Sequence, residues 1–129
     1  MRLFKTKWFS RFARKRKIND DQLLEAVDRA VRGLVDADLG GGLLKQRVAR
    51  TNEGRSGGYR TIIVFRAVHR AVFVYGFSKN DRDNLSADEL AGFKELAVLL
   101  LSMDDEDLKI AVNEGALEEL MKNEEDIQD

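Results

Sequence analysis

The sequence predicts an α+β domain: a small, mainly antiparallel sheet of about four strands, two helices near the N-terminus, one helix after the sheet, and a C-terminal helical extension. Three observations carry this. Apolar residues recur at helical spacing within residues 8–34 and again within 87–101. Between them, from residue 43 to 78, the period switches to two and β-branched and aromatic residues accumulate. A chain of 129 residues, 43% hydrophobic and 35% charged, can bury one core and is too apolar for disorder.

Residues 2–5 read as a short strand. A helix follows with Trp8, Phe9, Phe12 and Ala13 on its apolar stripe and Arg11, Arg14, Lys15, Arg16 and Lys17 outside it. Asn19 caps the second helix, with Gln22 completing the box and Asp20 and Asp21 complementing the dipole. Its buried face is Leu23, Leu24, Val27, Ala30, Val31 and Leu34, and it ends near Gly33–Asp36. "DLGGG" at 38–42 reads as a loop. Three strands follow at 43–50, 59–66 and 71–78, the last two joined as a hairpin whose turn holds His69. Ser86 and Glu89 form a Ser-x-x-Glu box that opens a helix burying Leu90, Phe93, Leu96, Ala97, Leu100 and Leu101. One or two short helices are expected after it, the first capped by Asp104, and the last residues are expected to fray. The domain is drawn at 1–101 and the acidic extension at 102–129.

The net charge of −1 hides an asymmetry. Residues 1–70 carry 17 basic and 7 acidic side chains, a net of +10, and residues 71–129 carry a net of −11. Either the basic half meets a polyanion or the two halves neutralise each other in the fold. The basic residues concentrate in "GGGLLKQRVARTNEGRSGGYR" at 40–60. Alternation puts Lys45 and Arg47 on one face of a strand, and Leu44, Gln46 and Val48 on the other. Arg60 opens the next strand, and the intervening loop bears Arg55, with Gly57 and Gly58 letting backbone N–H groups approach an anion. Phosphate is the natural ligand for such a pocket, because arginine presents a fork to its oxygens. The glycines fit neither the P-loop nor the dinucleotide fingerprint. Tyr59 and Tyr75 are candidate stacking platforms for bases, although core packing is the commoner use of strand tyrosines.

Other chemistry is narrowed sharply. The chain has no cysteine, which removes disulfides and thiolate ligands, and His69 is the single histidine, which removes paired-histidine catalysis. "DDED" at 104–107 lacks the spacing of an EF-hand loop and reads as a capped helix start. The longest apolar run, "LAVLLL" at 96–101, is too short to cross a membrane. With no signal peptide in the basic N-terminus, the expected compartment is the cytoplasm.

The segments "GGLLKQRVARTNEGRSGGYRTIIVF" and "FVYGFSKNDRDNLSADEL" resemble the RelE/ParE superfamily of type II toxin–antitoxin toxins, and most closely its HigB-like branch. "FKTKWFSRFARK" and "DADLGGGL" fit the same branch. The resemblance implies a microbial-RNase-like fold and a ribosome-dependent endoribonuclease. Such an enzyme cuts mRNA in the ribosomal A site without a metal or other cofactor, by attack of the 2′-hydroxyl. It implies Lys45, Arg47, Arg60 and Lys79 as catalytic residues, with Arg55, Gly57, Gly58, Tyr59 and Tyr75 binding substrate. It also implies a helix-turn-helix antitoxin as partner, operator DNA contacted only through that antitoxin, and no membrane. Some relatives carry a second lysine where this chain has Arg47, which leaves the acid and base open. A toxin of the same fold acting on gyrase, as the ParE branch does, or a non-enzymatic nucleic-acid or antitoxin-binding module, are the alternatives.

Overall fold

A computed structural model describes the backbone of residues 1–50 and 54–120, with the side chains of these except at 50 and 54–57. Strand β1 (Arg2–Thr6) runs directly into helix α1 (Lys7–Arg16). Thr6 is the hinge: its hydroxyl accepts from the Phe9 N–H at 3.2 Å and caps the helix. Phe9, Phe12 and Ala13 turn inward, whereas Arg14, Lys15 and Arg16 crowd the last turn, where the helix dipole favours cations. Trp8, expected in the core, is 42% exposed and lies stacked on Phe12 and Tyr75 at the rim.

Helix α2 (Asp20–Val31) starts in the expected capping box, Asn19 and Gln22 exchanging two bonds of 2.9 Å. Such a cap is worth about 1 kcal/mol. Leu23, Ala26, Val27 and Ala30 are buried, but Val31 and Leu34 are more than half exposed, against the sequence reading. The helix stops at Val31, Gly33 takes a φ of +83°, and the chain turns off before a further helical turn could form.

The sheet has six strands in the order β2-β3-β4-β5-β1-β6, with β2 (Ala37–Gly40), β3 (Leu43–Arg50), β4 (Gly54–Arg66), β5 (Arg70–Ser78) and β6 (Leu117–Glu119). All neighbours are antiparallel except β1 and β5, which are parallel. Two strands exceed the expected four. β2 stands where a loop was expected; Gly40, Gly41 and Gly42, all at positive φ, fold it back against β3. β6 stands within the segment expected to be helical, where it pairs with β1 and tucks Leu117 and Leu120 into the core. β4 begins at Gly54, so Gly57 and Gly58 lie in a strand rather than in the expected loop. The Arg55 side chain, residues 51–53, and the C-terminal residues 121–129 expected to fray lie outside the described residues.

Helix α3 (Ala87–Ser102) opens with the Ser86–Glu89 box and α4 (Asp105–Asn113) with a box between Asp104 and Asp107. Helices α1 and α2 cover one face of the sheet over Leu3, Val48, Tyr59, Ile63 and Phe73. Helices α3 and α4 cover the other over Phe4, Leu43, Ile62, Val64 and Val72. The linker from β5 to α3 lies at one end of this second face, where its Asn84 meets Lys45. At the other, Arg70 donates to the Leu100 and Met103 carbonyls and closes the C-terminus of α3.

The charge split is neutralised in part within the fold. Arg2 pairs with Glu119, and Lys5 with Glu118, joining the basic and acidic halves across β1 and β6. Arg11, Arg14, Lys15, Arg16 and Lys17 remain on the exposed side of α1 and at its end.

Candidate active site

β3 and β4 pair with Arg47 opposite Arg60 and Lys45 opposite Ile62, and β5 continues the rows with Phe77 and Tyr75. Side chains of directly paired residues leave the sheet on the same face. Lys45, Arg47 and Arg60 therefore share the α3 face, at the end reached by the linker 79–86. Parity on β3 thus places Lys45 and Arg47 together, and the β3–β4 register adds Arg60.

An acid that the sequence reading did not single out sits among them. Asp36, between α2 and β2, is 15% exposed at its side chain. Its Oδ1 is 3.2 Å from Arg47 Nε, and its Oδ2 is 3.4 Å from Arg60 Nε and 3.9 Å from Lys45 Nζ. Gln46, on the opposite face of β3 and 1% exposed, holds the approach to Asp36 in place. Its Nε2 donates to the Ala26 and Leu34 carbonyls, both at 3.0 Å, and its Oε1 accepts from the Asp36 N–H at 3.2 Å. Arg29 donates to the Arg47 carbonyl at 2.7 Å from the same side.

Lys45 also donates to Asn84 Oδ1 at 2.8 Å, which ties the cluster to the β5–α3 linker. Arg82 organises that linker: it donates to the Asn84 carbonyl, to Glu89 and to the Tyr75 hydroxyl, and lies over the Phe77 ring. The Arg82 guanidinium, helped by the Ser86 N–H, pulls the Glu89 carboxyl down to about 2. Arg60 is 7% exposed, and its Nη1 is buried with no hydrogen-bond partner among the described residues. A buried guanidinium N–H left open is costly unless a ligand completes it.

The family model of the RelE toxin of RelE/RelB toxin–antitoxin systems matches residues 1–120. The chain belongs to the RelE toxin family. The match extends through α4 and β6 and includes every element that builds the cation cluster. No curated protein matches the chain. Membership makes it the toxin component of a toxin–antitoxin pair, with an antitoxin as its partner. No helix among the described residues is long and apolar enough to cross a membrane.

The remaining residues singled out in the sequence spread around this cation cluster. Lys79 lies in the exposed turn after β5 and makes no ion pair among the described residues. Tyr59 faces the opposite side of the sheet. Its ring is 4% exposed, set edge-on to Phe12 and beneath Arg16, so it is a core residue and offers no open ring face to a base. Tyr75 is half-buried between Trp8 and Phe93. His69 sits in the β4–β5 turn, nine residues from Arg60 and past the far end of β4. Asp36, Arg82 and Asn84 lie within segments that carry the family resemblance, but were not singled out there as site residues. The clue to Asp36 was Gln46, a polar residue on the otherwise apolar side of β3, which needed buried partners.

Proposed function

We propose that this RelE-family toxin is an endoribonuclease that cleaves mRNA in the ribosomal A site. The observation that supports this best is the convergence of Lys45, Arg47 and Arg60 on one carboxylate, with Arg60 Nη1 still open. Cations gathered to hold a carboxylate are suited to a phosphodiester, whose oxygens offer similar geometry and charge. In cleavage, the 2′-hydroxyl attacks the adjacent phosphorus, the 5′-oxygen leaves, and a 2′,3′-cyclic phosphate and a 5′-hydroxyl result. Lys45, Arg47 and Arg60 stabilise the charge that builds on the non-bridging oxygens. Fixing the phosphate also aligns the attack, which is the other large contribution such a site can make. Lys79 and the backbone at Gly57 and Gly58 extend the phosphate contacts along the strand. The basic groove of α1, lined by Trp8, Arg11, Phe12, Arg14, Lys15 and Arg16, carries neighbouring RNA. A helix-turn-helix antitoxin neutralises the toxin and mediates its contact with operator DNA.

Growth arrest and primer extension on cellular mRNA after induction test this. Removing one donor to a developing oxyanion costs about 10²–10³ in rate. Arg60→Ala and Lys45→Ala should therefore each relieve arrest and abolish the new mRNA ends, with circular dichroism unchanged. Full toxicity in both variants, or gyrase-dependent DNA breaks with intact mRNA, would overturn the proposal.

A further inference from the structure

We infer that Asp36 is the proton acceptor of the cleavage step and that Lys45 is the proton donor to the leaving group; this rests on the ribonuclease reading above. Asp36 is held by design of the fold. Gln46 spends its buried amide on the Leu34 carbonyl and the Asp36 N–H, and so aims one carboxylate at three cations. A carboxylate has about four lone-pair directions, and the contacts among the described residues are one on Oδ1 and two on Oδ2. That leaves a direction for an incoming hydroxyl.

Four other residues are set aside on geometry or chemistry. Arg47 and Arg60 stay protonated. His69 lies beyond the far end of β4, whose last residue, Arg66, is six residues along from Arg60, about 20 Å at strand rise. Glu89 is committed to Arg82 and to its helix cap. The groups facing Asp36 are Lys45 and Arg47 from β3 and Arg60 from β4, with Arg29 of α2 lining the same groove. All are cationic and converge on the one carboxylate. A phosphate that takes up those cations would leave the Asp36 oxygens free to accept a hydrogen bond from the 2′-hydroxyl.

The step balances without a further reactant. The 2′-hydroxyl proton moves to Asp36, the 2′-oxygen bonds to phosphorus, and the bond from phosphorus to the 5′-oxygen breaks. The Lys45 ammonium protonates that oxygen. Asp36 Oδ2 and Lys45 Nζ are 3.9 Å apart, so the proton then returns from the carboxylic acid to the amine and the pair is reset.

Single-turnover cleavage on programmed ribosomes between about pH 5 and 8 tests this, with the wild type, Asp36→Asn, Asp36→Glu and Lys45→Ala. A second substrate carries sulfur in place of the 5′-bridging oxygen, a leaving group that needs no proton. Asp36→Asn should cleave about 10²–10⁴ times more slowly. It should bind an uncleavable 2′-deoxy substrate at least as tightly as the wild type. Asp36→Glu should recover part of the rate. The sulfur substrate should rescue Lys45→Ala at least about tenfold and leave Asp36→Asn unrescued. Asp36→Asn cleaving within about fivefold of wild type, losing RNA affinity in step with rate, or gaining from sulfur as Lys45→Ala does, would each overturn the assignment. A wild type that leaves ribosome-bound mRNA intact would instead overturn the ribonuclease reading itself.

Discussion

Replacing Gln46 with leucine probes the link between scaffold and site without touching a cation. The side chains are close in volume and the position is 1% exposed, so leucine adds no bulk and opens no large cavity. What it removes is three hydrogen bonds, of 3.0, 3.0 and 3.2 Å. A stranded buried donor or acceptor costs about 1–3 kcal/mol. The three groups are not equal. The Ala26 carbonyl lies within α2, where the helix supplies it with a partner in the usual i to i+4 pattern, so its loss falls at or below the low end. The Leu34 carbonyl and the Asp36 N–H belong to the irregular link between α2 and β2, and each loses more. The sum is about 3 kcal/mol, partly offset by the favourable burial of leucine. For a domain of this size that lowers the thermal midpoint by about 10 °C. Urea titration followed by circular dichroism reads the stability, and mRNA cleavage, measured well below the new midpoint, reads the site. Cleavage should fall even where the protein is fully folded, because Asp36 is no longer held. A loss below about 1 kcal/mol with cleavage intact would refute the reasoning that Gln46 positions the cluster.

Three further outcomes are expected. Arg60→Lys keeps the charge but loses the fork and the open Nη1, so single-turnover cleavage should drop more than for Arg47→Lys, whose side chain is 44% exposed against 9% for Arg60. Gly76→Ala would set a Cβ 2.6 Å from the Phe12 ring, forcing α1 away from β5; urea denaturation should show a loss of about 1–3 kcal/mol. Glu89 sits below its unfolded value, at about 2 against 4.5, so its contribution to stability is present above pH 4.5 and fades as pH falls toward 2. The wild type should therefore lose more stability in that window than Glu89→Gln does, by thermal melts at matched pH values.

The sequence alone determined what short-range chemistry can specify. The helix caps at Asn19, Ser86 and Asp104 each involve residues three apart, and all three form as read, Asp104 adding a full box with Asp107. Period-two patterning located β3 and β5 and put Lys45 and Arg47 on one face, because side-chain direction along a strand is local geometry. The matched family was legible for the same reason, in motifs carried by contiguous stretches. Tertiary structure decided the rest. β6 is three residues long and exists because β1, more than a hundred residues away in sequence, offers it an edge. No periodicity survives in so short a segment. Arg60 joins the cation cluster by virtue of register, facing Arg47 across β3 and β4, and Tyr59 is a core residue by the same register, one position over. No local pattern placed Asp36 among the cations. It joins the cations because α2 ends at Val31 and a buried glutamine on β3 catches the chain as it passes. Local rules fix elements and faces, but a site of opposite charges is assembled by contacts between elements, and those energies depend on distances that only the folded chain sets.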